Sequence, residues 1–134
     1  MKVAVDSSVL LDVLAADPVH GDRSREALRA AYDTGALVAC EIVWAEVRAH
    51  FPTDAAFSEA LSFLGIQFEP ISAEAAAKAG SLWRELRRLP GASRVRVVAD
   101  LLIGAHALLQ SDALLTRDRG FYRSRFKGLR ILEP

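Results

Sequence analysis

The stretch "KVAVDSSVLLDVL" (residues 2–14) joins the pattern of a buried strand directly to the pattern of a helix. "KVAVD" at residues 2–6 is typical of a short buried strand, and "SVLLDVLAAD" from residue 8 has apolar residues at helical spacing. Ser7 and Ser8 stand between the two patterns, and serine is a preferred residue at the N-terminus of a helix. We therefore expect a strand that passes at once into a helix capped by one of these serines.

The same alternation of strand and helix continues to the end of the chain. The further predicted strands are "ALVAC" (36–40), "IQFEPI" (66–71), "DALLT" (112–116) and "GLRIL" (128–132). The further predicted helices are "REALRAAYDTG" (25–35), "EIVWAEVRAHF" (41–51), "TDAAFSEALSFLG" (53–65, with Pro52 at its start), "SAEAAAKAGSLWRELRRL" (72–89, stopped by Pro90 and Gly91) and "VVADLLIGAHALLQ" (97–110). This order predicts a three-layer α/β fold: a mainly parallel central sheet with helices on both faces. We expect residues 1–134 to form a single domain of this kind.

Composition and cysteine content indicate a globular protein of a reducing compartment. Hydrophobic residues make up 51% of the 134 residues and charged residues 25%. No apolar run approaches the roughly 20 residues that a membrane-spanning helix needs, and the N-terminus enters a strand pattern without a signal peptide. Cys40 has no second cysteine to pair with. We therefore expect a cytoplasmic protein that does not associate with a membrane.

Charge is divided unevenly along the chain, although the net charge is zero. Residues 1–80 carry six Lys and Arg against twelve Asp and Glu, whereas residues 81–134 carry eleven against five. In the basic part, "RDRGFYRSRFKGLR" (117–130) alternates arginine with aromatic residues, a pattern that can contact phosphates and stack on bases. A solvated charged surface is the alternative, there and at "WRELRRLPGASRVR" (83–96), which could contact RNA or a protein partner. The candidate RNA-binding residues are Arg117, Arg119, Arg123 and Arg125.

Four acidic residues are predicted to meet at one edge of the sheet. Asp6 ends the first strand, and Asp118 follows the fourth. Asp100 lies in the first turn of the helix that leads into that fourth strand, and Glu46 lies one and a half turns into the helix after the second. Ligands of parallel α/β sheets bind outside the carboxyl ends of the strands. Each acid also has a structural alternative: Asp6 as a helix cap, Asp118 as a turn residue and Glu46 as a surface position.

Asp100 is the hardest of the four to explain structurally. It lies in "VVADLLIGAHALL" (97–109), where His106 is otherwise the one polar residue, and an apolar setting is unfavourable for a carboxylate without partners. Clustered carboxylates repel one another unless a cation lies between them, and oxygen ligands suit Mg²⁺ or Mn²⁺. We therefore predict a metal site with Asp6 and Asp100 as primary ligands. Asp118 acts directly or through water, and Glu46 through a bound water or as proton acceptor.

Other residue types indicate packing rather than chemistry. The three histidines match no zinc-binding spacing, and His106 is expected to be a hydrogen-bonded core residue. Four aromatic residues within residues 41–65 are more than one small core readily accommodates, which favours a C2 homodimer. These aromatic residues are Trp44, Phe51, Phe57 and Phe63.

Four motifs together resemble the PIN domain, in particular the VapC-type toxins of type II toxin–antitoxin pairs. They are "VDSSVLLDVL", "IVWAEV", "ADLLIGAHA" and "LLTRDRGF", in this order along the whole chain. The resemblance implies an acidic quartet of Asp6, Glu46, Asp100 and Asp118, with Ser8 and Thr116 as hydroxyl residues that hold carboxylates or water in place. Gly120 departs from the family pattern, because many relatives have a further acid there, and this leaves fewer ligands for a second metal.

The resemblance implies a Mg²⁺-dependent endoribonuclease, in which Mn²⁺ can replace Mg²⁺, that forms dimers and is silenced by a small antitoxin. Two alternatives remain open from the residues. A PIN-like nuclease could instead process RNA or cut DNA flaps without a toxin role, although flap nucleases usually carry additional elements. A non-enzymatic, receiver-like module would need a second acid beside Asp6 and a lysine near Thr116, and the sequence has neither.

Overall fold

The computed structural model describes residues 1–89 and 95–134 of the chain. Strands and helices alternate along these residues, as the sequence predicts. Pro90 and Gly91, the predicted stop of a helix, lie outside the described residues. The elements in chain order are β1 (Lys2–Val5), α1 (Ser7–Leu14), α2 (Gly21–Asp33), β2 (Ala36–Ala39), α3 (Glu41–Arg48), α4 (Asp54–Phe63), β3 (Ile66–Phe68), α5 (Ala73–Leu86), α6 (Val95–Gln110), β4 (Ala113–Leu115), α7 (Arg119–Arg125) and β5 (Ile131–Leu132).

The strands form one parallel sheet in the order β3-β2-β1-β4-β5. The consecutive residues Val3, Ala4 and Val5 of the central strand are all buried. Successive side chains of a strand point to opposite faces of the sheet, so both faces are covered. The predicted three-layer α/β fold with a parallel sheet is confirmed.

The order of the strands reverses at β1. The chain adds β2 and β3 on one side of β1, then returns to add β4 and β5 on the other. Right-handed crossovers place the helices of these two halves on opposite faces of the sheet. The backbone N–H of Asp6 donates to the carbonyl of Leu115 at 2.9 Å, which holds the carboxyl ends of β1 and β4 side by side. This reversal point is where open α/β sheets bind their ligands.

Several helices begin at residues other than those predicted. Asp6, rather than Ser7 or Ser8, is the N-cap of α1: its backbone is extended, and its carboxylate accepts a hydrogen bond from the Ser7 N–H at 2.8 Å. Aspartate caps helices as well as serine does. Thr53 caps α4 through the Ala56 N–H, so Pro52 precedes the cap instead of opening the helix.

Element lengths also differ from the predicted ones, because periodicity identifies the buried face of an element better than its ends. Helix α6 begins at Val95, so Asp100 lies in its second turn and not in its first. Helix α2 begins at Gly21, four residues earlier than predicted. Strand β3 ends at Phe68; the N–H of Glu69 still bonds to β2, but Pro70 has no N–H to continue the ladder.

Helix α7 is absent from the predictions, which treated residues 117–130 as a charged segment. Its apolar residues Tyr122 and Phe126 are buried. The ring of Phe126 lies against Gly104 of α6, where a Cβ atom would come within 2.2 Å of the ring. A short helix that carries three arginines therefore docks on α6 where that helix has no side chain.

The aromatic residues predicted at a dimer interface are mostly part of the core. The rings of Trp44 and Phe57 are in edge contact at 5.2 Å, and Phe51 packs on Phe57 at 5.9 Å. Phe63 is 89% exposed. Phe57 is buried and Trp44 and Phe51 are partly buried against the core, and the homodimer stays a prediction. Among the described residues, no helix has both the length and the apolar character needed to cross a bilayer.

Candidate active site

Asp6 and Asp118 are connected through the hydroxyl of Thr116. Asp6 is buried at the end of β1, and Thr116, directly after β4, donates from Oγ1 to Asp6 Oδ2 at 2.7 Å. The same hydroxyl accepts a hydrogen bond from the backbone N–H of Asp118 at 3.0 Å. Thr116, predicted as a hydroxyl residue that holds a carboxylate, thus holds Asp6 and fixes the backbone of the residue that carries the second acid.

Ser7, and not the predicted Ser8, connects Asp6 to Glu46. Its Oγ lies 3.2 Å from Glu46 Oε1 and 3.5 Å from Asp6 Oδ1. Ser8 Oγ is buried without a hydrogen-bond partner among the described residues. The sequence contains no signal that separates the two serines, because which of two adjacent residues faces the acids depends on how α1 docks on the sheet.

Burial leaves the Asp6 carboxylate incompletely compensated. Removal from water raises the pKa of Asp6, the hydrogen bonds from Thr116 and Ser7 lower it, and the negative charge of Asp118 raises it further. The net pKa of Asp6 is above its ordinary value of 3.8. A cation close to Asp6 would therefore stabilise the ionised form.

All four predicted acids act electrostatically on one buried side chain, that of Tyr122. Burial is the main cause that raises the pKa of Tyr122, and the negative charges of four acids raise it further: Asp6, Asp100, Asp118 and Glu46. The Tyr122 hydroxyl has no hydrogen-bond partner among the described residues. The fold thus brings the quartet to one end of the sheet, with two members exposed (Glu46, Asp118), one half-buried (Asp100) and one buried (Asp6). Tyr122 was missed because its position is set by α7.

The side chains at this end of the sheet fit a hard divalent cation. All four are carboxylates, which supply the oxygen ligands that Mg²⁺ and Mn²⁺ prefer. Within residues 1–89 and 95–134, no three Asp, Glu, His or Cys side chains lie close enough together to enclose a metal ion. Mg²⁺ needs no such enclosure, because it is commonly held by one or two carboxylates together with waters and substrate phosphates. The buried hydroxyl of Tyr122 and the raised pKa of Asp6 are consistent with a site that gains a charged ligand.

A comparison with protein families identifies the family of this fold. The profile of the PIN domain matches residues 3–127. The chain belongs to the PIN domain family. PIN-domain nucleases hydrolyse phosphodiester bonds and generally use divalent metal ions. The PIN resemblance inferred from the four motifs is confirmed.

Solved structures share this PIN fold at low sequence identity. One of them is VapBC2 from Rickettsia felis, which was solved bound to a DNA fragment from the promoter of VapBC2. A chain of that structure has a TM-score of 0.73 and 19% identity, with 99% of this chain and 98% of that chain covered. VapBC-1 from nontypeable Haemophilus influenzae has a TM-score of 0.71 and 17% identity, with 99% of this chain and 98% of that chain covered. FitAcB from Neisseria gonorrhoeae has a TM-score of 0.62 and 21% identity, with 97% of this chain and 96% of that chain covered. A comparison with curated protein sequences gives no significant match.

The arginines predicted to bind RNA have partners within the PIN domain. Arg117 pairs with Asp12, which is buried. Arg119 and Arg123 share the carboxylate of Glu133, and the guanidinium of Arg125 lies over the ring of Phe121 at 4.7 Å. RNA binding by these residues stays a prediction. Arg117, Arg119 and Arg123 are exposed and Arg125 is half-buried, and the partner of Arg117 is the buried one.

Histidine does not contribute a metal ligand in this arrangement. His106 is buried in α6, and its Nε2 lies 3.0 Å from Glu69 Oε1. His50 Nδ1 contacts the backbone carbonyl of Glu46. The prediction that His106 is a hydrogen-bonded core residue is confirmed.

Proposed function

We propose that this PIN domain is a Mg²⁺-dependent endoribonuclease that acts as the toxin of a toxin–antitoxin pair. The observation that carries the proposal is the hydrogen-bonded connection of Asp6 to the backbone of Asp118 through Thr116 and to Glu46 through Ser7, where β1 and β4 end side by side. Carboxylates at the reversal point of a parallel sheet, in a chain of a nuclease family, favour phosphodiester hydrolysis over a non-enzymatic role.

Asp6 and Asp100 are the proposed primary ligands of the ion, with Asp118 binding directly or through water. When bound, a divalent ion lowers the pKa of a coordinated water and neutralises charge on the phosphate oxygens. Hydroxyl residues of this chain hold the proposed carboxylate ligands in position. Thr116 holds Asp6 by a hydrogen bond of 2.7 Å, and the Ser7 hydroxyl keeps Glu46 beside Asp6.

Glu46 is the proposed proton acceptor for the attacking water. It is exposed on α3, so an incoming phosphodiester and its water can approach it, whereas Asp6 is buried. A general base must reach the proton that it removes. The hydroxyls of Ser7 and Thr116 are engaged in holding Glu46 and Asp6, and the four carboxylates favour direct attack by water.

RNA is the proposed substrate because basic and aromatic side chains extend from the acidic site along α7. Asp118 is the N-cap of this helix, and Arg119, Arg123 and Arg125 lie on it. Two of these arginines share one carboxylate, that of Glu133, so the cluster keeps a net positive charge. Phe121 beside Arg125 offers a ring on which a base can stack.

The toxin role is proposed from similarity in fold to VapBC chains, which are solved in complexes with an antitoxin partner. The proposed surface for such a partner is an apolar groove. A groove of about 540 Å³ runs between α1, α2 and α4, and exposed aromatic residues line it.

Homodimerisation is also proposed, with the exposed ring of Phe63 as its main aromatic support. Light scattering of the purified chain at tens of micromolar tests this proposal, and a result that shows only monomer would contradict it.

The test of the proposed function is cleavage by the purified protein of a mixed-sequence RNA and a matched single-stranded DNA. Each reaction is run with Mg²⁺, with Mn²⁺ and with a chelator, for the wild type, Asp100→Asn and the surface control Asp33→Asn. We expect RNA cleavage in either metal, none in chelator, and a loss of at least about a hundredfold in Asp100→Asn, as for a lost metal ligand. Preferential cleavage of DNA would instead support a DNA nuclease.

Thermal unfolding separates a metal ligand from a structural aspartate. Without metal, Asp100→Asn should melt at or above the wild type, because one of several repelling charges is removed. With Mn²⁺, the wild type should gain more stability than the variant, since a ligand that binds only the folded state stabilises it by mass action. A variant that melts well below the wild type in chelator, yet still cleaves RNA, would contradict the metal site.

A further inference from the structure

Arg117 makes a two-point contact with a buried carboxylate. Its Nε lies 2.7 Å from Asp12 Oδ2, and its Nη2 lies 3.0 Å from Asp12 Oδ1. The Asp12 side chain, on α1, is only 5% exposed. Such a fork-to-fork pair fixes the plane of the guanidinium as well as its position.

A second helix takes part in the same contact. The hydroxyl of Ser24, which is fully buried on α2, donates to Asp12 Oδ2 at 2.8 Å. Asp12 thus accepts hydrogen bonds from three donor groups, from α2 and from the segment after β4. The segment that contains Arg117 is therefore tied to both α1 and α2.

Arg117 lies between Thr116 and Asp118 in the segment that follows β4. Thr116 on one side is bonded to Asp6, and Asp118 on the other side is a proposed ligand. We propose that Arg117 is a positioning residue: its pair with buried Asp12 fixes the segment 116–118, and through it the Asp118 carboxylate, for metal binding. This inference rests on the proposed function.

The alternative is that Arg117 binds an RNA phosphate, as the sequence suggests. In the structure the edge of the guanidinium formed by Nε and Nη2 is occupied by Asp12, and that pair carries no net charge. A phosphate that took this edge would displace a buried carboxylate, which would then be left without its charged partner. The geometry therefore favours positioning over a direct RNA contact.

The decisive variant is Arg117→Lys, with Arg48→Lys as its matched control. Lysine keeps the charge but cannot form the two-point contact. The Nε of Arg48 also contacts a carboxylate, because it lies 2.6 Å from Asp54 Oδ1. The side chain of Arg48 is 35% exposed and that of Arg117 is 36% exposed. The difference is the partner, since Asp54 is 91% exposed.

The readout is the Mg²⁺ concentration that gives half-maximal cleavage, measured beside the affinity for RNA. We expect Arg117→Lys to raise this concentration about tenfold or more, the effect typical of losing a residue that orients a metal ligand. RNA affinity and its salt dependence should stay at the wild-type values, and Arg48→Lys should change neither quantity.

Two results would overturn the proposal. Weaker RNA binding with a flatter salt dependence in Arg117→Lys would identify a phosphate contact. A lower melting temperature with an unchanged Mg²⁺ requirement would identify a purely structural pair. If Arg117→Lys does not fold, the double variant Asp12→Asn/Arg117→Met takes its place. It leaves no unpaired buried charge and keeps an acceptor for the Ser24 hydroxyl. This double variant should need the same raised Mg²⁺ concentration, and a Mg²⁺ requirement equal to that of the wild type would overturn the proposal.

A further measurement keeps failure of this inference distinct from failure of the proposed function. A wild type that neither cleaves RNA nor gains stability from Mn²⁺ would contradict the proposed function itself. The positioning role is then read from amide exchange of Asp118, whose N–H is bonded to Thr116. Arg117→Lys should speed this exchange relative to Arg48→Lys, and an unchanged rate would overturn the positioning role.

Discussion

Tyr122 is the residue at this site that predicts an effect on stability most directly. Its hydroxyl is buried without a hydrogen-bond partner in the described residues, and an unpaired buried hydroxyl is unfavourable for the folded state. Tyr122→Phe should therefore leave the free energy of unfolding in chelator unchanged or raise it by about 1 kcal/mol. Urea denaturation measures this directly. A loss of more than about 1 kcal/mol would mean that the hydroxyl has a partner in solution.

His106 predicts a pH dependence of stability. Burial lowers its pKa below the ordinary 6.5, and this outweighs the opposite influence of Glu69 and Glu41; Lys2 lowers the pKa further. The unfolded chain therefore takes up a proton at His106 at a higher pH than the folded protein. The stability contributed by neutral His106 is complete above about pH 6.5 and is lost as the pH falls through the folded pKa.

The variant His106→Gln tests this origin of the pH dependence. Glutamine can still bond to Glu69 but does not titrate, so the variant should lose less stability than the wild type between pH 7 and pH 5. Asp6, whose pKa is also shifted, is present in both proteins, so the difference between them isolates His106. Equal losses in parallel urea titrations would show that His106 does not contribute.

Among the elements, the contact of α6 with the end of α7 is the tightest constraint near the site. Phe126 is buried against Gly104, and a Cβ there would meet ring atoms at 2.2, 2.5 and 2.8 Å. Gly104→Ala should therefore lower the free energy of unfolding by about 1–3 kcal/mol, the usual effect of overpacking. Gly80→Ala is the matched control: no atom lies within 4 Å of its added Cβ, and alanine should stabilise α5 by up to about 1 kcal/mol. A neutral Gly104→Ala would mean that the Phe126 ring moves aside.

For the molecule as a whole, the proposed toxin role makes the apolar groove between α1, α2 and α4 the expected binding surface of an antitoxin. Tyr32 and Phe63 are exposed at this groove, and Arg29 also lines it, which suits an apolar helix with an acidic residue beside it. We expect Phe63→Asp to abolish binding of a candidate antitoxin that forms a complex with the wild type, while the RNA cleavage of the wild type is retained. Val19→Asp, at an exposed apolar residue outside the groove, should bind normally. Complex formation by both variants in size-exclusion chromatography would place the partner elsewhere.

The sequence by itself determined the fold class and the four acids of the candidate site. Alternation of short apolar strands with amphipathic helices requires a parallel sheet covered on both faces, because each helix must bury its apolar stripe. Asp6 follows from its place at the end of a strand, and Asp100 from the free-energy cost of a carboxylate in an apolar stretch. Neither inference depends on how the elements are packed.

Tertiary structure alone decided which side chains support those acids. Ser7 rather than Ser8 faces Glu46, Arg117 turns inward to Asp12, and Tyr122 is carried into the site by a helix that the sequence did not predict. Each of these contacts joins residues that are distant along the chain or depends on the rotation of a helix about its axis. Local propensity and spacing contain no information on either. Such orientations follow from the packing of whole elements in the folded chain.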